Sequence, residues 1–248
     1  MDSLLVPMSV LPAPEQKALY VQRMFDAIAR RYDLVNRLMT FGLDQGWRRF
    51  AVSEVTAGRS RCAGDLRALD VGTGTGDFLP LLQHALPGAL VVGVDFSLPM
   101  MRAGVSKVEG LGGHGGYVGG DALKLPFADE TFDAVTTGFA MRNVADLPAA
   151  LQEIWRVTRP GGRFACLEVA QPAHPVLRLG HQMYFNYVVP LIGRAIAGHG
   201  EAYTYLPQSA GRFPRPAELS ALLLGAGWRN PRYRLLGLGA VAVHTAEK

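Results

Sequence analysis

The sequence predicts an α/β fold in which a mostly parallel, seven-stranded sheet carries helices on both of its faces. Three observations lead to this prediction. Short apolar runs alternate with helical patterns through the middle of the chain, which is the order that parallel βαβ units require. A glycine-rich loop follows the first of these runs and opens a helical stretch. The chain closes on two apolar runs separated by Gly237-Leu238-Gly239, which predicts an antiparallel hairpin.

The N-terminal part predicts a leader and two helices. Residues 1–14 contain three prolines and no helical period, which indicates a loose leader before one domain over 15–248. Within 15–60, apolar residues recur at three- and four-residue steps up to position 39, which predicts one continuous helix. Asp44 is expected to cap the second helix. The arginines of this pair, interpreted as a solvated face or a contact with an anionic surface, are Arg23, Arg30, Arg31, Arg37, Arg48 and Arg49.

Five strands and their helices follow in order. The strands are expected at 66–71, 90–94, 117–118, 132–137 and 164–169. The helices between them are expected at 77–85, after the capping residue Ser97, and at 148–157. A mostly helical insert over 175–210 then interrupts the alternation. A helix at 217–224 and strands near 228–236 and 240–245 complete the domain.

Composition excludes several classes of protein. Apolar residues make up 49% of the 248 residues and charged residues 19%, so the chain can bury a core and is not a disordered tail. Two cysteines do not make a disulfide scaffold. No run approaches the roughly 18 apolar residues of a spanning helix, and no signal peptide is visible, so we expect a cytoplasmic protein. The net charge of +4 is weak support for an anionic partner.

The most informative string is Asp70-Val71-Gly72-Thr73-Gly74-Thr75-Gly76-Asp77. Glycines let the backbone approach a ligand closely, and a helix N-terminus supplies free N–H donors. The spacing is G-x-G-x-G, whereas dinucleotide enzymes carry G-x-G-x-x-G. Asp95 ends the second strand, where a carboxylate can accept ribose hydroxyls, and Asp121 follows the third strand. Because ligands of open α/β sheets bind at the carboxyl ends of the strands, these points converge on one crevice.

This combination resembles the class I S-adenosylmethionine-dependent methyltransferases, which have a Rossmann-like sheet. The resemblance implies S-adenosyl-L-methionine as cofactor and S-adenosyl-L-homocysteine as its product. The loop would hold the methionine part, the acid of strand two the ribose, and the acid after strand three the adenine amino group. No metal is implied, and the six histidines show no ligand spacing. The cofactor-binding residues expected on this basis are Asp70, Gly72, Thr73, Gly74, Thr75, Asp95, Phe96, Asp121, Ala122 and Gly138.

The residues after the fourth strand narrow the class of molecule that can accept the methyl group. Amine-methylating members typically carry Asn/Asp-Pro-Pro-aromatic there, whereas this chain has Thr137-Gly138-Phe139-Ala140-Met141-Arg142-Asn143-Val144. Pyrimidine C5 enzymes need a cysteine nucleophile. Cys166 lies inside an apolar run and is expected in the core, and Cys62 lacks an identifiable base partner. We therefore expect no nucleic-acid partner.

Several strings together resemble the menaquinone/ubiquinone biosynthesis C-methyltransferases over residues 18–245. They are the segments 32–47, 139–144, 156–162, 202–209 and 239–244. The departures are Val35, Thr40, Asp44, Arg159 and Ala170, where the family prefers Met, Ser, His, Lys and Ser, and the absence of Arg-Gly after His244. These departures bear on substrate specificity more than on the reaction class.

The resemblance implies methyl transfer to a ring carbon of a polyprenylated naphthoquinol or benzoquinol, most simply demethylmenaquinol. The ring carbon becomes nucleophilic when the neighbouring hydroxyl loses its proton. We expect Arg142 to stabilise that phenolate and to hold a water that acts as the base. Asn143 and Tyr32 are expected to orient the ring. In the structural alternative, Arg142 pairs with a carboxylate and Tyr32 packs in the core. His181 is a further candidate base because of its ordinary pKa.

The sequence of the insert over 175–210 predicts that it forms a lid. Its apolar residues, interleaved with Arg178 and Arg194, suit an isoprenoid tail and peripheral contact with the inner face of the cytoplasmic membrane. A homodimer is compatible with the sequence. Two other functions stay open. One is a different small-molecule C- or O-methyltransferase of the same fold. The other is a catalytically silent cofactor-binding subunit of a quinone-synthesis complex.

Overall fold

The sheet has seven strands, as predicted, in a computed structural model that describes residues 14–58, 66–197 and 200–248. The predicted leader up to residue 13 and Cys62 lie outside the described residues. The strands are β1 (Arg67–Val71), β2 (Leu90–Asp95), β3 (Gly115–Gly119), β4 (Phe132–Gly138), β5 (Thr158–Val169), β6 (Arg229–Leu236) and β7 (Val241–Glu247). Their order across the sheet is β3-β2-β1-β4-β5-β7-β6.

The pairing confirms the mostly parallel sheet and the closing hairpin. The pairs β1–β2, β2–β3, β1–β4 and β4–β5 are parallel, and β7 runs antiparallel to both β5 and β6. The central strands are mostly buried because helices cover both of their faces. The strand order reverses beside β1, which separates β2 from β4. A ligand crevice is expected at that reversal, outside the carboxyl ends of β1 and β4.

Helices cover both faces of the sheet. They are α1 (Pro14–Ile28), α2 (Tyr32–Thr40), α3 (Leu43–Thr56), α4 (Leu79–Ala85), α5 (Leu98–Ala103), α6 (Val105–Glu109), α7 (Leu147–Val157), α8 (Pro175–Met183), α9 (Val189–Ala197), α10 (Gly200–Arg212) and α11 (Pro216–Gly225). One core cluster joins the sheet to α7 and α11, with the Trp228 ring stacked 5.0 Å from that of Phe164. The second joins the opposite face to α3 and α4. As predicted, Ser97 caps α5, because its Oγ accepts the N–H of Met100 at 3.3 Å.

Three predicted helix boundaries were wrong. The single helix up to position 39 is broken by a 3₁₀ turn at Ala29–Arg31. On either side of this turn, Ile28 and Val35 enter one small cluster with Val189 of α9, so tertiary packing overrides the helical period. Asp44 is not a cap: α3 begins at Leu43, and the Asp44 carboxylate binds an arginine one turn later. The fourth helix begins at position 79 rather than 77, after the tight turn of the glycine loop.

The insert is helical, as predicted, and joins the N-terminal helices. It consists of α8, a π-helical turn at Tyr184–Val188, α9 and α10. The hydroxyl of Tyr184 donates to the carbonyl of Met39 in α2 at 2.7 Å. In the part of the chain that the structure describes, no helix is both long and apolar enough to cross a membrane.

Candidate active site

The glycine loop between β1 and α4 is fastened to the end of β2. The N–H groups of Gly72 and Thr73 both donate to the carbonyl oxygen of Val94, at 2.9 and 3.0 Å. The N–H of Gly74 donates to Oδ2 of Asp95 at 2.7 Å. These bonds hold the loop in a fixed shape beside a carboxylate, which is the arrangement predicted for the cofactor site.

The loop also touches the segment that follows β4. Gly72 has φ of +67°, and a Cβ at this position would overlap the Cβ of Ala140. Gly138, the last residue of β4, is equally tight, since a Cβ there would lie 2.6 Å from Cε2 of Phe78. The predicted cofactor residues and the predicted acceptor residues are therefore adjacent in space.

Two buried carboxylates lie at this edge of the sheet. Asp70 Oδ1 accepts a hydrogen bond from Thr136 Oγ1 at 2.8 Å, and Asp95 Oδ1 accepts the N–H of Ser97 at 2.8 Å. Burial raises the pKa of Asp70 to about 7 and also raises the pKa of Asp95. Such carboxylates gain from a nearby positive charge. Their oxygens can accept further hydrogen bonds, so the pair fits a sulfonium cofactor with ribose hydroxyls.

The remaining predicted cofactor residues lie farther out along the strand ends. Asp121 follows β3 and is exposed, and its Oδ1 accepts the N–H of Leu123 at 2.9 Å. Ala122 beside it is half-buried. The Phe96 carbonyl accepts a hydrogen bond from Gln22 Nε2 of α1 at 3.1 Å. The predicted set thus follows the carboxyl ends of β1 to β4, with Asp121 at the solvent side.

A polar network that the sequence analysis missed ties the N-terminal helices to the loop. Thr75 Oγ1 donates to Asp33 Oδ1 of α2 at 2.6 Å. Lys107 Nζ bridges Asp33 and Asp77, at 2.8 and 2.5 Å. Arg48 of α3 approaches the other oxygen of Asp77 at 3.5 Å. Arg48 is therefore not on a solvated face, as one interpretation of the sequence had it.

A cavity of about 540 Å³ opens beside the segment after β4. Apolar side chains from α1, α2, α8 and the closing hairpin form most of its wall. The polar side chains that reach it include Tyr32, Asn36, Arg48, Arg142, Asn143 and His181. The structure thus brings the three residues predicted for catalysis to one apolar cavity next to the loop.

Arg142 is held in a charge pair that the sequence analysis named only as the structural alternative. Its NH1 donates to both oxygens of Glu168 at 3.1 Å and to the carbonyl of Phe139 at 2.5 Å. Glu168 is in β5, and 1% of its side chain is exposed. Asn143 Nδ2 donates to the same Phe139 carbonyl at 3.3 Å. Phe139 has φ of +58°, a strained conformation that is typical of functional sites.

The aromatic and histidine side chains of the cavity are partly withdrawn from water. Burial raises the pKa of Tyr32, and the nearby Arg142 partly opposes this rise. Burial lowers the pKa of His181, whose ring lies 4.4 Å from that of Phe185. His181 is therefore neutral near neutral pH, the state in which its ring can accept a proton.

Several buried polar atoms of the cavity residues have no hydrogen-bond partner among the described residues. They are Arg48 Nε, Arg142 Nε, Asn143 Oδ1, His181 Nε2 and the Tyr205 hydroxyl. Buried polar groups are costly unless they are paired. These atoms lie within the cavity wall, so the wall contains unpaired polar groups among its apolar side chains.

Glu168 and Arg48 had sequence signals that could have revealed them. Glu168 is a lone carboxylate in the otherwise apolar run 164–169, and such a group requires a cationic partner. Arg48 follows Asp44 by one helical turn, the spacing of a side-chain ion pair. Cys166 is buried in β5, and burial raises its pKa well above the ordinary value, which fits the predicted core position. Within residues 14–58, 66–197 and 200–248, no cluster of metal-ligating side chains occurs.

Comparison with known proteins relates this site to one family. The model of the ubiE/COQ5 methyltransferase family matches residues 13–248. The chain is 56% identical over 240 residues to a demethylmenaquinone methyltransferase of Roseiflexus castenholzii, covering 97% of this chain and 98% of that one. It is 44% identical over 225 residues to a demethylmenaquinone methyltransferase of Thermus thermophilus, covering 91% and 100%.

Other similarities are broader. A ubiquinone/menaquinone biosynthesis C-methyltransferase of Desulfotalea psychrophila is 43% identical over 231 residues, with 92% of this chain and 90% of that one covered. Among solved structures, a SAM-dependent methyltransferase of Thermotoga maritima, described as a possible histamine N-methyltransferase, superposes with a TM-score of 0.62. That pair is 19% identical and covers 92% and 99% of the two chains, so it supports the fold.

Proposed function

Because the chain belongs to the ubiE/COQ5 methyltransferase family, a family of S-adenosylmethionine-dependent C-methyltransferases, we propose that it methylates a ring carbon of a polyprenylated quinol. We further propose demethylmenaquinol as the substrate, since the relatives at 56% and 44% identity are named for that reaction. The observation that carries the proposal is the cavity, where Arg142 meets an apolar wall directly beside the glycine loop.

The chain's residues fit the roles that the sequence analysis assigned to them. Bound S-adenosyl-L-methionine supplies a methyl group on a positively charged sulfur. The loop from Gly72 to Thr75 and the carboxylate of Asp95 would hold it, with Asp70 beside its positive charges. Phe96, Asp121, Ala122 and Gly138 would complete its binding site along the strand ends.

Arg142 would lower the barrier by stabilising the phenolate of the acceptor. When the hydroxyl beside the target carbon gives its proton to a base, charge moves into the ring. The target carbon would then take the methyl group as the sulfur–methyl bond breaks, which leaves S-adenosyl-L-homocysteine, and the ring proton at that carbon leaves last. Glu168 and the Phe139 carbonyl fix the guanidinium through NH1, which leaves NH2 to donate to a ring oxygen or a water. A positioned donor in a water-poor site is effective because it needs no reorganisation. Asn143 and Tyr32 would orient the ring, and His181 is placed to accept a proton.

Turnover tests this proposal. Purified protein is incubated anaerobically with S-adenosyl-L-methionine and a short-chain demethylmenaquinol, and the product is identified by mass spectrometry. We expect one methyl group on the quinol ring. The same assay with a demethylated benzoquinol separates a menaquinone from a ubiquinone precursor. No transfer to either quinol, despite cofactor binding, would favour the silent subunit and contradict the proposal.

We also propose that the insert is a lid through which the isoprenoid tail leaves toward a membrane surface. Phe41, Leu238 and Val176 all line the cavity, yet they are 79%, 79% and 71% exposed, so they mark an apolar mouth. The outer side of the insert exposes Leu179, Tyr187 and Leu191 as well. Apolar residues at this density on one side of a protein suit an interfacial contact.

Vesicle flotation tests the membrane contact. We expect the protein to float with vesicles that contain anionic lipid, and the Phe41→Ser/Leu238→Ser variant to float several-fold less. Leu90→Ser is the matched control, because Leu90 is also exposed but begins β2, at the opposite end of that strand from Asp95. Equal flotation of the variant, the control and the unmodified protein would contradict the contact.

A further inference from the structure

Arg48 is buried in the cavity wall and held by the side chains around it. Only 4% of the residue is exposed. Its NH1 pairs with Asp44 Oδ2 at 2.6 Å, and its NH2 lies 3.5 Å from Asp77 Oδ2. The guanidinium carbon lies 5.8 Å from the ring centre of Phe78 and 5.6 Å from that of Phe139. Charge pairs and rings thus fix this arginine, and its NH1 is hydrogen-bonded to Asp44.

Arg48 and Arg142 share the same aromatic neighbour. The guanidinium carbon of Arg142 lies 5.9 Å from the ring centre of Phe139, so this one ring lies close to both guanidiniums. Each arginine is paired with a buried carboxylate through its NH1, and the NH2 of each has no hydrogen bond among the described residues. The cavity therefore contains two similar, preorganised donors at separate points of its wall.

The charges of both arginines act on one phenol of the cavity wall. Burial raises the pKa of Tyr32, and Arg142 and then Arg48 oppose that rise. Tyr32, Arg48 and Arg142 all line the cavity.

We propose that Arg48 binds the second ring oxygen of the quinol, para to the oxygen at Arg142. This inference rests on the proposed function, since a quinol carries two hydroxyls on opposite sides of one ring. Arg142 would take the hydroxyl beside the carbon that receives the methyl group. Arg48 would bind the other hydroxyl. Two fixed donors would then set the orientation of the ring and turn its reactive carbon toward the glycine loop. Asp44 then acts as a positioning residue, because it holds the guanidinium of Arg48.

A pair of acceptor analogues tests Arg48 without depending on the overall activity. One probe is a short 3-alkyl-1,4-naphthohydroquinone. The other is the matching 3-alkyl-1-naphthol, which keeps the hydroxyl beside the target carbon and lacks the second one. Dissociation constants are measured anaerobically by calorimetry in the presence of S-adenosyl-L-homocysteine. For the unmodified protein we expect the hydroquinone to bind at least about tenfold more tightly, because a hydrogen bond to a charged donor is lost with the hydroxyl.

The variant Arg48→Gln should bring this ratio of dissociation constants close to one. Arg48→Lys keeps the charge and should retain part of the ratio. It also serves as the second variant if the glutamine protein does not fold. Arg49→Gln is the matched control, because Arg49 is the exposed neighbour on the same helix, and its ratio should not change.

Two outcomes would overturn the inference. In one, the unmodified protein binds both probes equally. In the other, Arg48→Gln and Arg48→Lys weaken both probes by the same factor, which would mean that Arg48 only supports the loop through Asp77. Failure of the proposed function looks different, since the unmodified protein would then methylate no quinol at all.

Discussion

The cofactor side and the acceptor side of the active site differ in how their polar groups are paired. On the cofactor side, the N–H groups of Gly72, Thr73 and Gly74 are bound by Val94 and Asp95. On the acceptor side, buried donors and acceptors such as Arg142 Nε and Asn143 Oδ1 have no partner among the described residues. The backbone of the first side is paired without a ligand, although Thr73 Oγ1 has no partner among the described residues. We expect the second side to be stabilised when a ligand with ring oxygens fills it.

The two sides also differ in how far apart along the chain their contacting residues lie. The loop and Asp95 are separated by 21 residues and lie on neighbouring strands. The cavity instead joins α2 and α3 to the insert, through contacts such as that of Tyr184 with Met39, 145 residues apart. We therefore expect changes on the cofactor side to affect cofactor affinity, and changes on the acceptor side to affect turnover.

The largest expected effect follows from removing Arg142. Arg142→Ala should lower kcat by about 10²–10³-fold, the usual loss for a positioned donor of this kind. The dissociation constant of S-adenosyl-L-homocysteine should change less than twofold, because the partners of Arg142 lie on the acceptor side. Stopped turnover assays measure kcat, and calorimetry measures the dissociation constant of S-adenosyl-L-homocysteine.

This variant needs a control for stability. Arg142→Ala leaves the Glu168 carboxylate buried without its cation, which typically costs about 3–5 kcal/mol of folding free energy. The double variant Arg142→Met/Glu168→Gln removes both charges and should recover most of that stability in denaturant titrations. If the double variant also recovered turnover, Arg142 would be structural and the division between the two sides would fail.

The sequence predicts the cofactor side of the structure better than the acceptor side. The sheet, its closing hairpin and the position of the glycine loop were confirmed, because they depend on short motifs and on the rule that ligands bind at strand ends. The roles of the individual site residues stay predictions. The pairing of Arg142 with Glu168 was foreseen only as a general alternative, since nothing local to position 142 indicates which strand supplies the carboxylate.

Most of what the sequence did not reveal depends on the assembled fold. The helix break at residues 29–31 depends on packing there, whereas the ion pair of Asp44 had a local signal in the four-residue spacing to Arg48. The links of Lys107 to Asp33 and Asp77 span 74 and 30 residues, and no periodicity in either segment signals them. Local pattern therefore predicts the elements and the cofactor motif, and long-range charge pairing decides the acceptor wall.

A smaller effect is expected from the pH dependence of Asp70. Its pKa is raised to about 7, so the carboxylate gains a proton as the pH falls below that value. A protonated Asp70 no longer attracts a positively charged ligand, so the affinity for S-adenosyl-L-methionine should be about tenfold lower at pH 6 than at pH 8. Calorimetry across this pH range measures the affinity. Asp70→Asn should bind weakly at both pH values, while Asp121→Asn should keep the pH dependence.

The same carboxylate makes a second, opposite prediction for stability. A carboxyl whose pKa rises on folding, here from 3.8 to about 7, stabilises the folded state at low pH, and this stability is lost as the pH rises through 7. Asp70→Asn should therefore melt at a higher temperature than the unmodified protein at pH 8, but not at pH 4. Equal melting temperatures at both pH values would show that Asp70 is not strained by burial.

The smallest expected effect concerns Ser97, which joins three parts of the cofactor side. Its Oγ accepts the N–H of Met100 and donates to Asp26 Oδ1 of α1 at 2.5 Å, while its own N–H binds Asp95. Ser97→Ala removes the cap and the link to α1 but keeps the backbone bond to Asp95. We expect a loss of about 1 kcal/mol in the free energy of unfolding, the usual cost of a lost cap. The dissociation constant of the cofactor should rise only slightly.

Ser53→Ala is the matched control for this effect. Ser53 Oγ donates to the carbonyl of Phe50 on the exposed side of α3, so its loss should change stability by less than about 0.5 kcal/mol. The KM for the quinol should be unchanged in both variants if the two sides are assembled independently. A several-fold rise in that KM in Ser97→Ala alone would show that α1, which reaches both sides, couples the cofactor site to the acceptor cavity.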